Sequence, residues 1–297
     1  MFLAMALAAA TAVGGATERI DRSICVVHRG WGLVMPENSI PALEKCWSAG
    51  FLPECDARIS TDGVLYAFHD PKYRGRPMKD LSWAEVQEID IGEPKGPAWK
   101  GKGLRAPTWD AIFTEMAKDP KRCILMDHKD APMKTMAEMV RKYGVSRQAW
   151  WCQGSIEACA KWKALVPDGR ALVWIPFGRS WKSVDFADTT RLSDIDDFVK
   201  NRIAEWEKIA FGAADVVELI VNVDVKSPDR TSPSLAVIKD AVGRIRAAGK
   251  KACLMVWAQC ADHVESYRSL YNAVRPDCFG TDYPERLQEF LASRLAK

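Results

Sequence analysis

Two of the four histidines in this chain, His28 and His69, bracket a pair of carboxylates, Glu54 and Asp56. An imidazole has an unperturbed pKa near ~6.5, so either ring can give or take a proton at neutral pH. Glu54 and Asp56 stand two residues apart in an apolar segment that begins near Phe51, and on an extended strand that spacing turns both side chains to one face. Carboxylates placed so closely repel one another and invite a hard cation, and their oxygens suit Mg²⁺ or Ca²⁺. Asp127 and Lys129 repeat the two-residue spacing with opposite charges. They read as organising a metal or a phosphate, with a plain salt bridge as the alternative.

Strands must deliver these groups. The run 23–27 leads into His28 and Arg29, and the run 64–68 leads into His69 and Asp70, so both rings are expected at strand ends. Further strands are expected near 51–58, 122–127, 149–152, 171–175, 216–223, 252–257 and 278–281, with 64–69 an additional strand in the connection after the second. Helices are expected over 39–49, 131–143, 193–208, 262–272 and 284–295, the first capped by Ser39 after the turn of Pro36, Glu37 and Asn38. This alternation fits a closed parallel α/β barrel or an open α/β sheet. No Gly-rich nucleotide fingerprint follows the first strand, and a barrel would gather its functional residues at the carboxyl ends of the strands.

The segments HRG from His28, PENS from Pro36, ExD from Glu54, STDG from Ser60, HD from His69, LMDHK from Leu125 and FGTDYP from Phe279 occur in that order. In order and separation they resemble the glycerophosphodiester phosphodiesterase family, over almost all of the chain after residue 20. The resemblance implies a TIM barrel and a metal-dependent hydrolase that releases glycerol 3-phosphate and an alcohol from a small soluble glycerophosphodiester. It implies His28 and His69 as acid and base, Glu54 and Asp56 on one divalent cation, and Arg29 and Lys129 near phosphate. Asp127 stands where the family usually carries a metal-binding glutamate, and is expected to be the third ligand. A related phospholipase or sugar-phosphodiester hydrolase is the nearest alternative. A noncatalytic phosphate-binding barrel is the alternative of a different class, and intact His28, Glu54, Asp56 and His69 argue against it.

Other residues carry weaker readings. Trp257 ends a strand and reads as a wall of the substrate pocket or as barrel packing. Asp282 reads as a rim landmark or as a cap for the helix beginning at Pro284. Arg58 shares the parity of Glu54 and Asp56 and is expected to balance their charge, whereas His128 has the opposite parity from Asp127 and reads as structural. Lys72, Arg74, Arg76 and Lys79 read as a solvated loop beside the mouth of the site.

The 297 residues, 48% of them hydrophobic, suffice for one large core, and no linker or repeat divides them, so residues 21–297 are expected to form one barrel domain. A net charge of +3 from 42 basic and 39 acidic residues gives no footprint for nucleic acid. The apolar run 2–13 followed by Gly14, Gly15 and Ala16 is signal-like but lacks a positive start, and it is too short for a membrane span. A secreted or periplasmic location is therefore expected over a cytoplasmic one. The nine cysteines fall mostly in or beside apolar strand segments and read as buried, reduced thiols.

Overall fold

The computed structural model describes residues 20–175 and 184–295, and the signal-like run lies outside them. Eight parallel strands form the centre: β1 (Val26–Val27), β2 (Leu52–Ile59), β3 (Ile124–His128), β4 (Ala149–Gln153), β5 (Arg170–Trp174), β6 (Val216–Val223), β7 (Lys251–Val256) and β8 (Cys278–Thr281). Each pairs with its neighbour in the chain, and β1 pairs with both β2 and β8, which closes the sheet. That closing pair removes the open-sheet alternative. β6 is buried along its whole length, as expected for strands covered by side chains on both faces.

One helix follows each strand: α1 (Ile40–Ser48), α2 (Trp109–Ala117), α3 (Met133–Lys142), α4 (Ile156–Leu165), α5 (Thr189–Glu207), α6 (Leu235–Ala247), α7 (Val264–Val274) and α8 (Pro284–Leu295). The expected helices appear with shifted ends, and α2, α4, α6 and a short helix, Trp83–Gln87, in the connection between β2 and α2 are additional. α4 buries Ile156, Ala158, Cys159 and Trp162, a set that does not follow a clean 3.6-residue stripe. α6 carries Gly243 within its span, a poor helix former that blurs the signal. All nine cysteines are free thiols, and eight are buried. Among the described residues no helix is long and apolar enough to cross a membrane.

The connection between β2 and α2 matters most for the site. Its strand Leu65–Ala67 runs antiparallel to β2, with Ala57 opposite Ala67. Behind it Tyr66, Met78, Leu81 and Val86 form a small core of their own. Arg58 fastens this insertion to the barrel. Its guanidinium donates to the carbonyls of Phe68 at 3.0 Å and His69 at 2.7 Å, and to Asp130 Oδ2 at 2.5 Å. This corrects the expectation that Arg58 balances the acidic pair: its charge is spent on Asp130 and on the backbone that carries His69. Hydrogen bonds to a charged group contribute about 1.5–3 kcal/mol each, so the anchor holds His69 firmly. In the nearby hairpin Arg74 and Arg76 pair with Glu93 and Glu85 at 2.9 and 2.7 Å, in the manner of a solvated loop.

Candidate active site

β1 is short because the chain turns out of the barrel wall just past His28. Arg29, Gly30 and Trp31 all take left-handed backbone conformations, with φ of 51°, 60° and 72°. Such conformations cost a non-glycine residue roughly 1–2 kcal/mol and collect at functional sites. At Gly30 a Cβ would lie 2.9 Å from Leu43 Cδ2, which makes glycine the residue that fits. The turn aims the Arg29 backbone N–H at Glu54 Oε2, 2.7 Å away, and sends its guanidinium to Glu37 at 3.1 Å and His69 Nε2 at 2.9 Å. The indole of Trp31 donates to Glu285, tying the same turn to α8.

The carboxylates converge as their spacing predicts. Glu54, Asp56 and Asp127 each offer an oxygen, all within 4.8 Å of one another. Register explains the meeting, because Asp56 lies directly opposite Asp127 across the β2–β3 pair. Asn38, buried at the start of α1, donates to Asp56 Oδ2 at 2.7 Å and accepts from the Asp56 backbone N–H at 3.0 Å, fixing one carboxylate oxygen. Lys129 donates to Asp127 Oδ2 at 2.5 Å and lies 2.9 Å from Asp56 Oδ1, the latter outside hydrogen-bond geometry. Glu54 Oε1 and Asp56 Oδ1 are left buried with no hydrogen-bond partner.

Electrostatics follow from this crowding. Burial, then repulsion from Asp56 and Asp127, holds the Glu54 carboxyl well above the usual range. Burial raises Asp127 too, against the attraction of Lys129. Burial also opposes ionisation of Asp56, but Lys129 and Asn38 outweigh it and hold that carboxyl low. Three carboxylates facing one ammonium leave an excess of negative charge that a divalent cation offsets. Hard oxygen donors with two orphaned atoms fit such an ion.

His28 and His69 face each other edge to face, with ring centroids 6.5 Å apart. His28 Nδ1 is 2.6 Å from Asp282 Oδ1, so Asp282 fixes the ring's orientation. This contact gives Asp282 a partner in the site. His69 Nδ1 is 2.8 Å from Asp70, and its Nε2 accepts from Arg29. Because a guanidinium can only donate, Nε2 carries the lone pair and Nδ1 the proton. Burial pushes the His69 pKa down, which keeps the ring neutral. Trp257 lies 5.1 Å from the His28 ring and lines the same cavity of about 250 Å³. His28, Glu54, His69, Asp127, Lys129 and Glu218 supply its polar lining, and Leu125, Trp174, Ile220 and Met255 are among its apolar neighbours. Asp56 and Arg29 reach the cavity through Lys129 and His69. His128 stands apart against Trp151, with centroids 5.4 Å apart.

The sequence profile of the Glycerophosphoryl diester phosphodiesterase family matches residues 28–286. The chain belongs to this family. Its match to a glycerophosphoinositol inositolphosphodiesterase of Mus musculus is 33% identical over 98 residues, covering 27% of this chain and 18% of that protein. The match to YhdW of Bacillus subtilis is 28% identical over 119 residues, covering 38% of this chain and 47% of that one. The chain thus matches less than half the length of either relative. A glycerophosphodiester phosphodiesterase from Agrobacterium tumefaciens has the same fold, with a TM-score of 0.63 at 20% identity over 91% of this chain and 99% of that one. A phosphodiesterase of Oleispira antarctica, solved with sn-glycerol-3-phosphate, superposes with a TM-score of 0.61 at 17% identity over 91% of this chain and 96% of that one.

Three features of this candidate site escaped the sequence reading. Asn38 was visible only as part of a turn before α1. The anchoring of His69 by Arg58 needed the insertion's path. Glu218 lines the cavity from β6, and its signal was a lone acid in the otherwise apolar run 216–221.

Proposed function

We propose that this chain hydrolyses small glycerophosphodiesters to glycerol 3-phosphate and an alcohol, with one Mg²⁺ or Ca²⁺ held by Glu54, Asp56 and Asp127. The observation that carries the reading is the juxtaposition of three converging carboxylates, two of whose oxygens lack a hydrogen-bond partner, with two cations and two oriented histidines at one barrel mouth. The family membership and the glycerol phosphate bound in the Oleispira antarctica protein support the substrate class. When bound, a divalent cation supplies Lewis acidity at a phosphate oxygen. Arg29 and Lys129 would hold the remaining phosphate charge, with Arg29 released from His69 as phosphate arrives. His69, neutral with its lone pair on Nε2, would take the proton of the attacking oxygen, from water or a neighbouring glycerol hydroxyl. His28, braced by Asp282, would deliver a proton to the departing alkoxide.

The mostly apolar lining of the cavity keeps a phospholipase as the second reading. Product identification after incubation with soluble glycerophosphodiesters and with intact phospholipids separates them. Glycerol 3-phosphate from the soluble diesters is expected, and turnover of intact lipids alone would overturn the substrate class.

Asp127 gives a sharper test of the ligand set. Asp127→Asn is expected to weaken Mg²⁺ and Ca²⁺ binding by roughly 10–100-fold, the range reported even for outer-shell partners, while Asp127→Glu retains binding where the added methylene fits. Calorimetric titration decides. Unchanged affinity in Asp127→Asn would leave only its salt bridge to Lys129.

A further inference from the structure

We infer that Glu218 is a specificity-determining residue that recognises the glycerol hydroxyl farthest from the phosphate. The inference rests on the hydrolase reading above and adds to it the feature by which this cavity selects its substrate.

Glu218 sits on β6 between Trp174 on β5 and Cys253 on β7, its register partners, and lines the same cavity as His28, His69, Asp127 and Lys129. It is 7% exposed and is not part of the Glu54, Asp56 and Asp127 cluster. Among the described residues its carboxyl receives one hydrogen bond, from the Cys253 thiol at 3.8 Å. A thiol is a weak donor, and the cavity around Glu218 is otherwise lined largely by Leu125, Ile220, Met255 and the tryptophans. A buried carboxyl so poorly served costs free energy unless a ligand completes its bonding. None of the groups assigned to phosphate, cation or proton transfer uses it.

Size and charge choose the ligand group. At about 250 Å³ the cavity falls below the range of about 300–1,000 Å³ for drug-sized ligands. It suits a glycerophosphate whose other alcohol points outward. With phosphate at Lys129 and the carboxylates, the carbon chain of glycerol enters the apolar part, where its far hydroxyl meets Glu218. Burial, then repulsion from Asp127, pushes the Glu218 carboxyl up to about 7. In either protonation state that carboxyl can hydrogen-bond a hydroxyl.

The test compares kcat/KM of the full chain in Mg²⁺ on three diesters: glycerophosphocholine, glycerophosphoethanol, and 2-hydroxypropyl phosphocholine, which lacks only the far hydroxyl. Glu218→Met is expected to lose about 10–100-fold on both glycerol diesters and to stay within about twofold on the hydroxypropyl diester. Glu218→Gln, which still hydrogen-bonds, should keep most of the preference, and Mg²⁺ affinity should be unchanged in both. Equal losses on all three diesters, an unchanged preference in folded Glu218→Met, or a loss that follows the choline charge would each overturn the inference while leaving the hydrolase intact. A folded wild-type protein inactive on every diester would overturn the hydrolase reading itself and the inference with it.

Discussion

Glu54→Gln and Asp56→Asn are each expected to abolish measurable turnover and to weaken divalent-cation binding by at least about 100-fold, because even changes outside the first ligand shell cost roughly 10–100-fold. The amides keep shape and volume, and Asn at position 56 can still accept from Asn38, whose amide now fixes one Asp56 oxygen. They remove the charge that two oxygens without a hydrogen-bond partner, one of them ion-paired with Lys129, present inside the cluster. Folding must be separated from function, since these side chains are buried. Thermal melts in chelator should therefore show each variant still folding cooperatively, Asp56→Asn lower for want of its ion pair with Lys129, with the wild type alone gaining stability when the cation is added. Wild-type affinity and turnover in either folded variant would remove that residue from the ligand set.

The second large effect concerns the histidines. His28→Ala and His69→Ala are each expected to lower kcat by roughly 10²–10⁴-fold, the usual contribution of general acid–base catalysis, while cation affinity stays near wild type. The double variant should lose little more than the worse single one, as two rings working in one proton circuit would. Measuring kcat across pH together with cation titration distinguishes this from a collapse of the site. A folded single variant with wild-type kcat at every pH would take its ring out of proton transfer. Asp70 and Asp282 hold the two rings from behind, so their removal should act through the histidines and be smaller.

Much of this site was legible because strand parity is a rigid rule. Two residues of spacing put Glu54 and Asp56 on one face, and the same spacing put Asp127 and Lys129 on theirs; parallel register then set Asp56 beside Asp127. The barrel strands were legible as apolar runs that end in polar residues. What parity could not supply was the partner of a side chain once the chain leaves the sheet. Arg58 shares the parity of the carboxylates, yet its guanidinium turns to Asp130 and to the carbonyls of the insertion. That insertion is placed by a small core of its own, formed by residues whose contacts no local pattern encodes. α4 and α6 were obscured for a related reason: a helix pressed between barrel and neighbours buries more than one stripe, or tolerates a glycine, because packing outweighs local propensity. α2 buries Trp109, Ile112, Phe113 and Met116, a regular helical stripe that the sequence reading passed over.

Phosphorus NMR tests most directly whether a divalent cation is needed for attack at a phosphodiester. Phosphorus NMR is recorded on glycerophosphocholine with chelated, folded protein, before and after Mg²⁺ or Ca²⁺ is restored. No change in the diester signal before the ion, and its replacement by glycerol 3-phosphate after it, is the predicted result. A diester signal that persists with either ion, or that disappears equally fast in chelator, would contradict the account.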